Sequence, residues 1–196
     1  MIEKEPSKNP HSPRLWLELA DEDYVITRLL IHHDMGRIAI YHMQQAVEKY
    51  LKSFILTRCQ LRQETKKSRV KYYINSSNIE FETHKLIEHL ECCHKRHGFF
   101  TIPSNFEFIV SLNGYDAIRY PSRLIREDRK IVLNCIDKFA YNIRYIINIK
   151  TETGLEMKDD LISRLQRGDF TSWDMKPRKD LETAFFIDNK YFKKYQ

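Results

Sequence analysis

Glycine is scarce in this chain, five residues in 196, and proline is barely commoner at six. So few backbone punctuators, with a hydrophobic fraction of 42%, fit a helix-rich globule rather than an extended or low-complexity chain. The four cysteines, Cys59, Cys92, Cys93 and Cys135, include an adjacent pair and show no spacing of a secreted disulfide framework. Long apolar runs are missing too: none approaches the roughly 20 residues that cross a bilayer. The polar opening stretch, which holds two of the six prolines within residues 1–11, does not resemble a secretory leader. A cytoplasmic protein with no membrane segment is the expectation. The length suits one domain with an appendage, large enough to bury a core without metals or disulfides.

What the chain does have is positive charge, unevenly placed. The formal net charge is +6, yet residues 151–196 carry nine basic and nine acidic side chains. The whole surplus therefore lies before residue 151, much of it in RCQLRQETKKSRVK (58–71) and RYPSRLIREDRK (119–130). Such a distribution suits an anionic partner, whether a nucleotide, a nucleic acid or an acidic protein surface; a solubilising surface is the plainer alternative.

Periodicity supplies the fold class. Ser12-Pro13 reads as a helix start, and Trp16, Leu19, Ala20, Ile26 and Leu30 follow at helical spacing, predicting a helix over 13–31. HHDMG breaks the pattern and Gly36 opens a second helix. There Ile40, Met43, Val47, Tyr50 and Phe54, broadened by Ala39, Ala46, Leu51 and Ile55, form a stripe wide enough for neighbours on two sides. Residues 59–80 read as a long basic loop. Thr83 is the expected cap of a third helix ending at Gly98, and a Pro-Ser start near residue 103 opens a fourth with Phe106, Ile109, Val110 and Ala117 inward. Pro121 stops it, and a fifth, from about Arg126 to Lys150, shows Val132, Ile136, Phe139, Ile143 and Ile146 on one face. The expected organisation is all-α: a flexible tail (1–11), an antiparallel up-and-down bundle of four to five helices (12–150), and a partly helical C-terminal extension (151–196) whose aromatics pack on the bundle or on a partner.

Several short stretches stand in a suggestive order. The second helix reads A-x-Y-x-x-Q-Q-A-x-E-K-x-L-K (Ala39, Tyr41, Gln44, Gln45, Ala46, Glu48, Lys49, Leu51, Lys52). His84-Lys85-Leu86 opens the third, Arg119-Tyr120-Pro121 precedes the last, and WLELADEDYVITRLL carries an A-x-x-D onset. In this order and spacing, over roughly 14–150, they resemble the HEPN domain family, in particular its RYP-bearing branch. That resemblance implies a helical bundle, usually dimeric, that binds nucleotides or RNA and is often encoded beside a minimal nucleotidyltransferase as a toxin–antitoxin-like pair. Other members are metal-independent ribonucleases with Arg, four to six residues, then His at the start of the last long helix. No His follows Arg119, Arg123, Arg126, Arg129 or Arg144 at that spacing. Arg28–His33 and Arg37–His42 satisfy it on other helices, which is about the number expected by accident from 15 arginines and eight histidines.

The candidate residues follow. Gln45, Glu48, Lys49 and Lys52 lie at i, i+3, i+4 and i+7 and form one strip, either a solvated face with a Glu48–Lys52 surface pair or a set of phosphate donors. Arg119 either grips a phosphate or bridges to a carboxylate, and Tyr120 either stacks on a base or packs inside. Lys66, Lys67, Arg69 and Lys71, beside Tyr72 and Tyr73, form an RNA-contact loop or a solvated one. His89, Cys92, Cys93 and His97 share a helix face but lack a second ligand segment, so no metal is expected. His84 reads as a hydrogen-bonding residue that ties the third helix to the second. The leading expectation is a nucleotide- or RNA-phosphate-binding module with Gln45, Lys49, Lys52, Arg119 and Tyr120 as contacts, a nucleotide as a candidate ligand and no cofactor. A ribonuclease using Arg37 and His42, and an interaction module using the C-terminal extension, are the alternatives.

Overall fold

Ser12 stands just outside helix α1 (Pro13–His32), where Pro13 takes the first turn; the serine hydroxyl itself makes no capping bond. The computed structural model describes residues 11–66, 69–75, 79–113, 129–149, 160–169 and 175–194. Helix α1 closes with Asp34 in the left-handed conformation (φ 62°), Asp34 N–H bonding Ile31 O and Met35 N–H bonding Leu30 O. That double bond is a Schellman ending, with aspartate in the place glycine more often takes. After this three-residue turn comes α2 (Gly36–Arg58). The two helices run antiparallel: Ser53 Oγ donates to Pro13 O at 2.7 Å, Tyr50 pairs with Asp21 and His42 with Asp23.

Helix α2 is buried as its wide stripe requires. Ala39, Met43, Ala46, Val47, Tyr50, Leu51, Phe54 and Ile55 are all in the core. It packs on α1, on α3 (Leu86–His94) and on α5 (Arg129–Ile149), whose Ile136, Phe139, Ile143 and Ile146 form the expected inner face. A short 3-10 turn (Gly98–Thr101) and α4 (Pro103–Ser111) join α3 to this core. Two further helices, α6 (Leu161–Arg167) and α7 (Met175–Phe186), pack against α1. Aromatics of this segment turn inward: Phe185 on α7 and Phe192 beyond its end lie edge-on or tilted against Tyr24, so these two pack on the bundle itself.

Four expectations need correction. Residues 59–80 are not simply a loop, because β1 (Leu61–Lys66) and β2 (Arg69–Ile74) pair antiparallel from Leu61↔Ile74 to Lys66↔Arg69. A β-bridge from Tyr73 to Glu80 extends the ribbon, which hangs on the bundle through buried Ile74 and Phe81. Thr83 does not cap α3; its hydroxyl donates to Glu80 O, and the helix starts at Leu86 behind Lys85. Val110 is exposed and Phe106 half-buried while Ile109 is fully buried, and Ala117 lies outside the described residues. Finally, α1 presents a different face than expected. Trp16, Leu19, Ile26 and Leu30 are half-buried, while Leu17, Ala20, Tyr24 and Val25 are buried beside Asp21, Thr27 and Arg28. Ion pairs draw that polar face inward. The Arg28 guanidinium lies 2.6 Å from both Asp137 oxygens on α5, and Arg144, also on α5, holds Asp21 and Asp160.

Candidate functional site

The polar strip of α2 does not face one environment. His42, Gln45 and Lys49 occupy successive turns, and both His42 and Lys49 reach across to Asp23 on α1. His42 Nδ1 sits 2.7 Å from Asp23 Oδ1, and Lys49 Nζ donates to Oδ2. A carboxylate can only accept, so Nδ1 carries the proton of that bond and the outer nitrogen, Nε2, is left as an acceptor. The cluster is partly open to water: the side chains of Asp23, His42 and Lys49 are 10%, 25% and 22% exposed. Gln45 lies half-buried between the two donors. One carboxylate thus holds an imidazole and an ammonium side by side at the α1–α2 seam.

Lys52 belongs to another world. Its side chain is 2% exposed; Nζ donates to Glu48 at 2.8 Å and lies 4.8 Å from the Trp16 ring centre and 5.7 Å from that of Phe81. The expected solvated Glu48–Lys52 pair is therefore a buried one, and Lys52 has no route to a phosphate from solvent. On the rim, His84 Nδ1 approaches Glu48 at 3.1 Å with its side chain 80% exposed, so it does tie the α3 approach to α2. Beneath them lies His89, fully buried on α3, with neither ring nitrogen hydrogen-bonded. Burial, helped by the Lys52 charge, pushes its pKa down to about 4.

The other candidates disperse. Arg119 and Tyr120 lie outside the described residues, as do Lys67 and the side chains of Arg37 and Lys66. Arg69 is exposed on β2, but Lys71 is engaged by Glu80 at 2.9 Å, and Tyr72 packs 4.0 Å from the His11 ring instead of standing free to stack. The helical His/Cys set does not converge: Cys93 Sγ points at Leu51 O and His97 Nδ1 accepts from Phe99 N. Among the described residues no group of three or more His, Cys, Asp and Glu is placed to hold a metal ion, and no helix is long and apolar enough to cross a membrane. Two adjoining depressions of about 510 and 570 Å³ share Phe186, Asn189 and Lys193 near the C-terminus, and neither touches α2.

Sequence reasoning passed over the acidic residues that organise the site. Asp23 was visible only as the last letter of the A-x-x-D onset, with nothing to say which cations it would meet. Asp21 accepts from Tyr50 at 2.6 Å and from Arg144, which also donates to Asp160 at 3.1 Å. Burial lifts the Asp21 pKa to about 6 even though Arg144 and Tyr50 pull it down. Asp160 in turn caps α6 through Ser163 N at 2.9 Å. This second network holds α1, α5 and α6 together and is the more buried of the two, its carboxylates at 0% and 3% exposure beside Arg144 at 11%, so the Asp23 cluster is the more open to solvent. A family model described as HEPN domain matches residues 13–149, which span α1 to α5. No curated protein and no solved structure gives a significant match.

Proposed function

The chain belongs to the HEPN domain family, whose members are nucleotide- and RNA-related modules that often dimerise, and from that premise we propose that it binds nucleotide or RNA phosphate at the Asp23–His42–Lys49 cluster. Gln45 adds an amide donor, and Arg119 and Tyr120 supply a guanidinium and a ring for the same ligand. One observation carries the reading: a partly exposed ammonium and imidazole on adjacent turns share a single carboxylate. Asp23 takes one of the three Lys49 N–H donors and leaves two for an anion. Arg69, exposed on β2, adds positive surface for a longer RNA. Lys52 serves as a structural cation. A homodimer acting with a nucleotidyltransferase in a toxin–antitoxin-like pair completes the proposal, by analogy with the family.

The test is binding of a short single-stranded RNA across a salt series. Two phosphate contacts predict a slope of log affinity against log salt of about −1.4. Lys49→Ala should flatten that slope by roughly half and weaken binding, while a flat salt response in the native chain would end the proposal.

The Asp23–His42 pair also favours a second reading, a ribonuclease. A histidine oriented through Nδ1 by a carboxylate presents Nε2 as a general base for a 2′-hydroxyl proton, with Arg37 to steady the phosphate. Cleavage of generic RNA that is abolished by His42→Ala would establish it; binding with no cleavage would leave the first reading alone.

A further inference from the structure

The two depressions near the C-terminus meet at Phe186, Asn189 and Lys193, and their floor is held in place by a local turn. Asp188 takes the left-handed conformation (φ 54°) just past α7, and Asn189 after it is buried. The Asn189 amide bonds only to the protein. Its Nδ2 donates to Tyr24 Oη and Phe185 O, and its Oδ1 accepts from the N–H groups of Tyr191 and Phe192, each at 3.1 Å. On this fixed hook the basic side chains stand out. Lys179, Lys190 and Lys193 line the depressions and are exposed, and none of them meets a carboxylate among the described residues. Between them Phe186 is half-buried, its ring 5.0 Å from that of Phe185 and nearly perpendicular to it, which fixes its orientation. Asp188 and Asn134 line the larger depression too, both exposed and with side chains that make no hydrogen bond among the described residues.

We propose that the larger depression is a second ligand site, for a nucleoside 5′-phosphate, separate from the Asp23 cluster and independent of it. Lys190 and Lys193 select an anion, each ammonium offering charged donors to phosphate oxygens. Phe186 selects a flat body, because a base laid on its ring gains stacking that a bare anion lacks. Asp188 selects against a purely acidic ligand such as an acidic peptide. A carboxylate only accepts, and the ribose hydroxyls bring the donors it needs. Asn134 offers the edge of the base both a donor and an acceptor. At about 570 Å³ the space lies within the range of small-molecule sites. Lys193 also lines the neighbouring depression with Lys179, so a longer phosphate chain meets a third lysine there. Phe186, Asp188, Lys190 and Lys193 all lie beyond the span that matches the HEPN domain, so this chain's own C-terminal segment builds the site.

The experiment is a calorimetric titration of the full-length Lys49→Ala chain, in which the Asp23 cluster has lost its ammonium, with adenosine and uridine 5′-monophosphates. Both nucleotides should bind with millimolar or better affinity, and adenosine or inorganic phosphate alone should bind at least about tenfold more weakly. Adding Lys190→Ala and Lys193→Ala, both at exposed positions, should weaken nucleotide binding by about tenfold or more. Phe186→Leu keeps an apolar side chain but loses the stack, for a loss of about tenfold, and Phe186→Tyr should restore it. Absence of nucleotide binding to the Lys49→Ala chain would overturn the proposal. So would binding that ignores the cleft substitutions, or inorganic phosphate binding as tightly as the nucleotides. None of these results bears on the Asp23 cluster, whose own test is the RNA salt series, and failure there leaves the cleft untouched.

Discussion

Removing the imidazole of His89 should change how this protein responds to acid, and the size of the change can be worked from its surroundings. The ring is fully buried, makes no well-formed hydrogen bond at either nitrogen, and faces the Lys52 ammonium, with Glu48, the Phe81 backbone and Glu88 as weaker opposing influences. Its pKa falls from 6.5 to about 4. The native state therefore favours the neutral ring, so its contribution is complete above pH 6.5 and is lost as pH falls from there toward 4. Holding the proton off to that extent corresponds to about 3 kcal/mol. In the variant His89→Leu this proton uptake is gone, and the apolar replacement of an unpaired polar group should cost little at neutral pH. Denaturant unfolding of both proteins from pH 7.5 to 4.5 isolates the effect, because the other titrating groups contribute equally and cancel in the difference. The native chain should lose about 2–3 kcal/mol relative to His89→Leu over that range. A difference that stays flat to within about 0.5 kcal/mol would mean that water or a protein acceptor reaches the ring, and the reasoning would fail.

Two further substitutions probe the buried ion pairs. Arg28→Ala strands Asp137 and also frees the carbonyls of Ala184 and Ile187, to which the guanidinium donates at the end of α7. The expected loss is about 3–5 kcal/mol by urea unfolding, a large part of the stability of a typical domain, with much of it restored by Arg28→Met combined with Asp137→Leu. Lys52→Met should cost about 3 kcal/mol by leaving Glu48 to His84 alone, and Glu48→Gln in the same chain should recover most of it. Because Lys52 is sealed from solvent, the Lys52→Met/Glu48→Gln chain should bind RNA as the native protein does.

The sequence disclosed α2 almost completely, since nine apolar residues from Ala39 to Ile55 repeat a helical period that only a helix buried on two sides requires. It disclosed the inner face of α5 for the same reason. The β-ribbon escaped because LRQETK has one apolar residue: Arg62, Glu64 and Lys66 charge one face, and Gln63 and Thr65 keep the other polar beside Leu61, while its partner RVKYYI follows with no glycine or asparagine between them to mark a hairpin. The true face of α1 escaped for a different reason. Periodicity counts apolar residues, yet Asp21 and Arg28 are buried by partners on α5 more than a hundred positions away. A charge is legible as core only when its partner is known, and one sequence does not state the pairing.

The same rule decides which lysine of α2 can meet a phosphate. Lys49 and Lys52 stand three residues apart and are chemically identical, so spacing assigns both to one strip. The fold gives each its own carboxylate, Asp23 on one side and Glu48 on the other, and only the first pair touches water. An anion approaching Lys49 finds two unused N–H donors and competes with Asp23 for a cation already partly hydrated. To reach Lys52 it must open the Trp16–Phe81 box and break a buried ion pair, at about 3–5 kcal/mol before any contact is made. That penalty lowers affinity by a factor of a hundred or more. On the proposed phosphate reading, selection along α2 would rest on these two carboxylates, with Asp23 keeping its lysine available and Glu48 withdrawing the other.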